Sequence, residues 1–192
     1  SGALLEVIHK KLHSLYFEDY FGALGAQAIV VETDYVDRDF LEDFAGYYVR
    51  CFPDYRRKCT RLHFFRRTLN EQEFEQLVSH PLDEAQAKAL QTDYLGFVVV
   101  KPLPQTVVGR TCLATYAKNQ HRFYPIARRY EANLFGIPLE VKTLAFQEQD
   151  SVAAACATSA LWSVFHATGM LFHHPIPSPV EITRAANAIL PM

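Results

Sequence analysis

The strongest constraint on the fold is a near-continuous apolar run from Tyr94 to Lys101, closed by Pro102 and Pro104. A run of this length, rich in valine, is typical of a buried strand, and proline ends such a strand. Gly96 is expected to weaken it slightly. A second run, Val107 to Tyr116, follows after a short turn, which favours an antiparallel pair. The 94–101 segment is therefore predicted to be a central strand.

Helix and strand signals fill the rest of the chain. Apolar residues at helical spacing predict a helix over residues 3–24, and the β-rich run 28–32 is expected in the same or an adjoining sheet. Capping residues predict four further helix starts, at Asp34 or Asp37, Asn70, Asp83 and Ser178. These signals indicate an α+β fold in which helices flank a mixed or antiparallel sheet.

A basic segment, residues 55–67, holds six basic residues and no acidic one, with aromatic residues between them. Such a segment can hold an anionic partner or single-stranded nucleic acid by charge and stacking. The favoured interpretation is a strand with Leu62 and Phe64 turned inward, whose charges are offset by the acidic stretch 32–43. The outward residues are then Arg61, His63 and Phe65.

Composition excludes several classes of function. The chain has 192 residues and a net charge of -2, which disfavours a nucleic-acid partner. No apolar run approaches the roughly 20 residues of a membrane span. The four cysteines are too few and too irregular for a disulfide scaffold, so we expect a reducing cytoplasm. We expect no metal and no cofactor.

The stretch from Phe146 to Trp162 has the composition of a catalytic site. Gln147 and Gln149 precede a run of small residues, and Cys156 then opens an apolar-periodic helix predicted to end at Gly169. A cysteine near a helix start is favoured as the thiolate. An upstream glutamine amide can donate to the oxyanion that forms when a thiolate attacks a carbonyl group.

At these residues the chain resembles the papain-like cysteine peptidases, in particular the C39-like branch, over roughly residues 139–169. The resemblance implies that Cys156 is the nucleophile and Gln149 the oxyanion donor, with Gln147 as the alternative donor. The usual spacing places the glutamine six positions before the cysteine, a position held here by Asp150. The implied function is hydrolysis of a peptide, isopeptide or other amide bond in a peptide or protein substrate.

A general base is harder to place. In papain-like enzymes the histidine follows the cysteine, by about 130–150 residues in the papain type, whereas 36 residues follow Cys156. His166 lies on the same helix, about 15 Å away. We therefore expect the front part of a longer enzyme, with little turnover by itself. Residues 1–135 form an N-terminal α+β region, and residues 136–192 hold the strand, nucleophile helix and following helix of an incomplete papain-like domain.

A competing hypothesis makes the chain a non-catalytic module that binds a protein or an anion. In that case Cys156 is a structural cysteine, since free cysteines are among the most buried residues. Arg110, on the second apolar run, is a candidate anion ligand, although a cross-strand ion pair is the commoner role for an arginine in a strand.

Overall fold

The computed structural model describes residues 12–51, 53–117, 121–149 and 156–189. The strands are β1 Ala28–Tyr35, β2 Cys59–Phe65, β3 Tyr94–Val100, β4 Val108–Leu113, β5 Arg128–Leu134 and β6 Ile137–Thr143. The helices are α1 Leu12–Leu24, α2 Arg38–Gly46, α3 Glu71–Ser79, α4 Glu84–Asp93, α5 Cys156–Phe172 and α6 Pro179–Ile189, and Tyr48–Arg50 form a 3-10 turn. The beginning of the predicted 3–24 helix lies outside the described residues.

Two antiparallel sheets and the helices around them make an α+β fold, as predicted. The larger sheet has the order β1-β2-β3-β4, so the apolar run forms an interior strand and the 28–32 run belongs to the same sheet. Strands β5 and β6 pair as a hairpin. The predicted boundary after residue 135 falls in the turn of this hairpin. None of the described helices has the length and apolar character needed to cross a bilayer.

The predicted orientation of β2 is wrong. Arg61 is 6% exposed, and His63 and Phe65 are both 0% exposed. Both faces of the sheet are covered: the ring of Phe64 stacks on Phe21 of α1 with centroids 4.0 Å apart, while Phe65 packs into the main core on the other side. A strand covered on both faces has no outward set of side chains.

Helix starts follow the capping signals. Asp37 Oδ1 accepts a hydrogen bond from the Phe40 backbone N–H at 3.0 Å. The capping boxes of α3 and α4 are complete, with reciprocal bonds between Asn70 and Glu73 and between Asp83 and Gln86. Each box satisfies backbone donors that the first turn of a helix leaves unpaired.

The predicted end of α5 at Gly169 is wrong, because the helix continues to Phe172. A Cβ atom at position 169 would lie 3.0 Å from Ile176 Cγ1 and 3.3 Å from the His174 carbonyl oxygen. The left-handed residue that follows the helix is His173, with φ 53°. Gly169 thus allows the chain to return closely along the helix, and His173 makes the turn.

Candidate functional site

Cys156 is the exposed thiol among the four cysteines. Burial raises the pKa of Cys59 and of Cys112 to about 12, so both remain protonated at neutral pH. Cys51 is half-buried, and its Sγ lies 3.9 Å from the Tyr47 carbonyl oxygen. Cys156 is therefore not the buried structural cysteine of the competing hypothesis, and it is the thiol best placed to meet a substrate.

Gln149 lies beside this thiol. The Cys156 Sγ donates to Gln149 Oε1 at 2.8 Å, and both residues are exposed. The segment before Gln149 is held to β4, because Phe146 exchanges two backbone hydrogen bonds with Thr111 and the Glu148 N–H donates to the Val108 carbonyl. Residues 150–155 lie outside the described residues. The pairing with β4 positions the amide next to the thiol.

Gln147, the alternative donor, faces a different environment. It is half-buried, and its Nε2 is buried without a hydrogen-bond partner among the described residues. Of the two glutamines that the sequence singled out, the structure brings Gln149 to Cys156.

Helix α5, which begins at Cys156, is held in place by contacts with α2 and α6. Trp162 is 0% exposed, and its Nε1 donates to Asp39 Oδ2 of α2 at 3.2 Å. Thr158, which is also buried, bonds to Thr183 of α6 through their hydroxyl groups at 3.1 Å. Cys156 thus stands on a rigid element, which favours a fixed position of the sulfur.

Four histidines that could be considered as general bases have other surroundings. His63 is enclosed in the sheet with Tyr94 and Glu32. His166 lies about 15 Å along α5 from Cys156, in contact with Tyr130. His173 and His174 follow the far end of α5, roughly 24 Å from its start, and His174 bonds to Thr168.

Part of the basic segment 55–67 makes structural contacts. Arg61 Nε donates to Glu32 at 2.6 Å, and its guanidinium lies 4.1 Å from the centroid of the Tyr35 ring. Lys58 lies 3.5 Å from the Asp34 carboxylate. The acidic stretch 32–43 therefore pairs with two of the six basic residues, Arg61 and Lys58.

A polar cluster that the sequence reasoning missed lies between α2, β4, β5 and α5. Arg110 donates to Asp37 at 2.8 Å, so its ion pair is with the N-cap of α2 and not across the sheet. Around it lie Asp39, Arg128 and His166. The one sequence signal for this cluster was an arginine inside an apolar strand. The described residues hold no group of three or more histidines, cysteines or acids that suits a metal ion.

The buried titratable groups predict that stability falls as the solution becomes acidic. Burial lowers the pKa of His63 to about 4 and that of His166 to about 3. Below pH 6.5 the unfolded chain therefore binds two protons that the folded chain does not bind. Burial, aided by Asp37, raises the pKa of Asp39 to about 6. Below that pH the folded chain therefore binds one proton that the unfolded chain does not yet bind. The net slope is about 1.4 kcal/mol of unfolding free energy lost per pH unit between about pH 6 and pH 5.

Urea unfolding at several pH values measures this slope, and two substitutions test its origin. His166→Gln removes one of the two histidine protons, so its stability should be nearly independent of pH in this window. Asp39→Asn removes the opposing contribution and should steepen the slope about two-fold. Equal slopes in all three proteins would show that these groups do not control acid stability.

No family model, curated protein or solved structure matches this chain. The papain-like resemblance therefore stays a prediction carried by residues 139–169. The geometry of Cys156 and Gln149 is the basis for a functional assignment.

Proposed function

We propose that this chain carries the nucleophile of a cysteine peptidase or a related amide or isopeptide hydrolase, in which Cys156 attacks a peptide or protein substrate. The observation that supports the proposal is the 2.8 Å contact between an exposed thiol and an exposed side-chain amide. A reducing cytoplasm would keep Cys156 as a free thiol, ready for this chemistry.

Gln149 is the proposed oxyanion donor. When the sulfur attacks a carbonyl carbon, the carbonyl oxygen gains negative charge and needs N–H donors at about 2.7–3.1 Å. In the structure the Cys156 Sγ donates to the Oε1 of the Gln149 amide. Its Nε2 belongs to the same planar group, so rotation of that group about its last side-chain bond presents the N–H to a thiolate or to the oxyanion.

The proposal does not use His63, His166, His173 or His174 as the general base. Without a base the leaving amine receives no positioned proton, which typically lowers the rate by about 10²- to 10⁴-fold. A substrate whose leaving group needs no proton avoids this loss of rate. The attack of the Cys156 sulfur on the carbonyl carbon can then be measured with this chain.

Acylation by p-nitrophenyl acetate tests the proposal. Attack by Cys156 forms a sulfur–carbon bond, breaks the ester carbon–oxygen bond and releases p-nitrophenolate, while the thiol proton goes to solvent. We expect one acetyl group per chain by intact mass, located on Cys156 by peptide mapping. Cys51, which is half-buried and lies against the Tyr47 carbonyl oxygen, should react more slowly.

Two alanine variants serve as a matched pair in this experiment. Cys156→Ala should lose the rapid phase of nitrophenolate release, whereas Cys51→Ala should keep it. If Cys156→Ala is acetylated as fast as the unchanged chain, the proposed nucleophile is wrong. Cleavage of a peptide library that depends on Cys156 would instead place a working base within this chain.

A further inference from the structure

A polar cavity of about 440 Å³ lies beside α5, at some distance from Cys156. Its lining includes four arginines, Arg38, Arg110, Arg128 and Arg129, and also His166. The side chain of Arg129 is 74% exposed, so this residue stands where the cavity meets solvent. Side chains from α2, β4, β5 and α5 converge here.

Three N–H groups of the lining have no acceptor among the described residues. They are Arg110 Nε, Arg128 Nε and His166 Nε2, and all three atoms are buried. A buried donor without an acceptor is destabilising, and native proteins contain few of them. Their concentration around one cavity indicates that it is built to receive an acceptor.

Contacts of the Tyr130 hydroxyl identify His166 Nε2 as a donor. The Ala145 backbone N–H donates to the Tyr130 oxygen at 3.1 Å, and the Tyr130 hydroxyl in turn lies 3.2 Å from His166 Nδ1. The hydroxyl proton is therefore available to Nδ1, which accepts it. Burial lowers the pKa of His166 to about 3, so the ring is neutral at pH 7 and carries its one proton on Nε2.

Arg128 supplies positive charge that no carboxylate offsets among the described ion pairs. Arg38, Arg110 and Arg129 each pair with an acid, whereas Arg128 donates to the His166 carbonyl at 3.0 Å and lies 4.8 Å from the centroid of the Tyr130 ring. A half-buried guanidinium held by a neutral oxygen and an aromatic ring keeps the capacity to bind an anion.

We infer that this cavity binds a small ligand through a carboxylate or phosphate group, with Arg128, Arg110 and His166 as donors. Guanidinium groups match the paired oxygens of both anions, and a neutral imidazole N–H adds a third donor without changing charge. His166 is 5% exposed, so an oxygen bound to it is shielded from water. The cavity is separate from Cys156, and the inference does not depend on the proposed hydrolase.

Two acidic residues, Asp39 and Glu131, also line this cavity, and Asp39 opposes an anion when it is ionised. Its Oδ2 accepts from Trp162 Nε1, a bond that the oxygen of an asparagine can keep. Because the pKa of Asp39 is raised to about 6, chiefly by burial, the carboxyl is partly protonated in mildly acidic solution. Acetate, which is ionised at both pH values, should therefore bind more tightly at pH 6 than at pH 7.5.

Titration with inorganic phosphate and, separately, with acetate tests the inference and distinguishes the two anions, with sodium chloride holding ionic strength constant. Trp162 is the sole tryptophan of the chain, and its ring centroid lies 4.1 Å from that of His166. Its fluorescence should change saturably with the preferred anion. No saturable change with either anion would overturn the inference.

Three substitutions separate this site from general attraction between charges. Arg128→Gln should weaken binding by about ten- to a hundred-fold, and Asp39→Asn should tighten it. Arg57→Gln removes the same charge from an exposed position on Phe44, outside the cavity, and should leave the affinity unchanged. Equal losses in Arg128→Gln and Arg57→Gln, or unchanged affinity in Arg128→Gln, would contradict the assigned site. Unfolding curves without anion check that each variant is folded.

Discussion

Replacing Gln149 with alanine is expected to slow acylation of Cys156 by about 10²- to 10³-fold, the usual cost of removing one oxyanion donor. The Gln149 Oε1 lies 2.8 Å from the sulfur, so rotation of this amide places its N–H within reach of the carbonyl oxygen of a substrate under attack. Nitrophenolate release under single-turnover conditions measures the rate. Because both residues are exposed, the substitution should leave the unfolding free energy nearly unchanged.

Gln147→Ala is the matched control, because it removes the same group two residues away. The Gln147 amide nitrogen is buried and has no hydrogen-bond partner among the described residues, so its loss should change the acylation rate little. This pair of variants decides between the two donors that the sequence left open. A larger rate loss in Gln147→Ala than in Gln149→Ala would transfer the oxyanion role to Gln147.

Features that depend on neighbours in sequence were predictable. The capping boxes at Asn70 and Asp83 act over three residues, so their residue types are enough to locate the starts of α3 and α4. The strand over Tyr94–Val100 was predictable because a long apolar run has few other stable places in a domain. The contact between Cys156 and a glutamine was also predictable from the local sequence, since both residues lie within one short segment.

Features that depend on distant parts of the chain were not predictable. The prediction that Arg61 points outward assumed that one face of β2 meets water. In the structure α1 covers one face and the main core the other, while Glu32 compensates the buried charge. Gly169 was predicted to end a helix, but its role depends on Ile176, which returns to pack against it.

The cavity beside α5 is the clearest example of a feature that depends on distant parts of the chain. Arg110, Arg128 and His166 come from three separate elements, and each has an ordinary role when considered alone. Their common property is a buried N–H without an acceptor among the described residues. This property is visible once the backbone brings the three residues together.

Replacing Gly96 with alanine is expected to destabilise the fold by at least about 3 kcal/mol, the combined cost of backbone strain and overpacking. Gly96 has φ +110°, and a Cβ atom there would lie 2.0 Å from the Cys112 carbonyl oxygen. That oxygen belongs to the backbone of β4, which pairs with β3, so it cannot move aside without disrupting the sheet. Sequence reasoning treated Gly96 as a slight weakness of the strand, whereas the close approach of β4 requires a glycine.

Two other glycines separate the causes of this loss when each variant is unfolded in urea and followed by circular dichroism. Gly136 has φ +95° in open space, so Gly136→Ala should cost only the strain of a left-handed alanine, about 1–2 kcal/mol. Gly22 lies in α1 with nothing near its Cβ position, so Gly22→Ala should stabilise the protein by roughly 0.5–1 kcal/mol. A loss at Gly96 no larger than that at Gly136 would show that the approach of β4 is not the controlling contact.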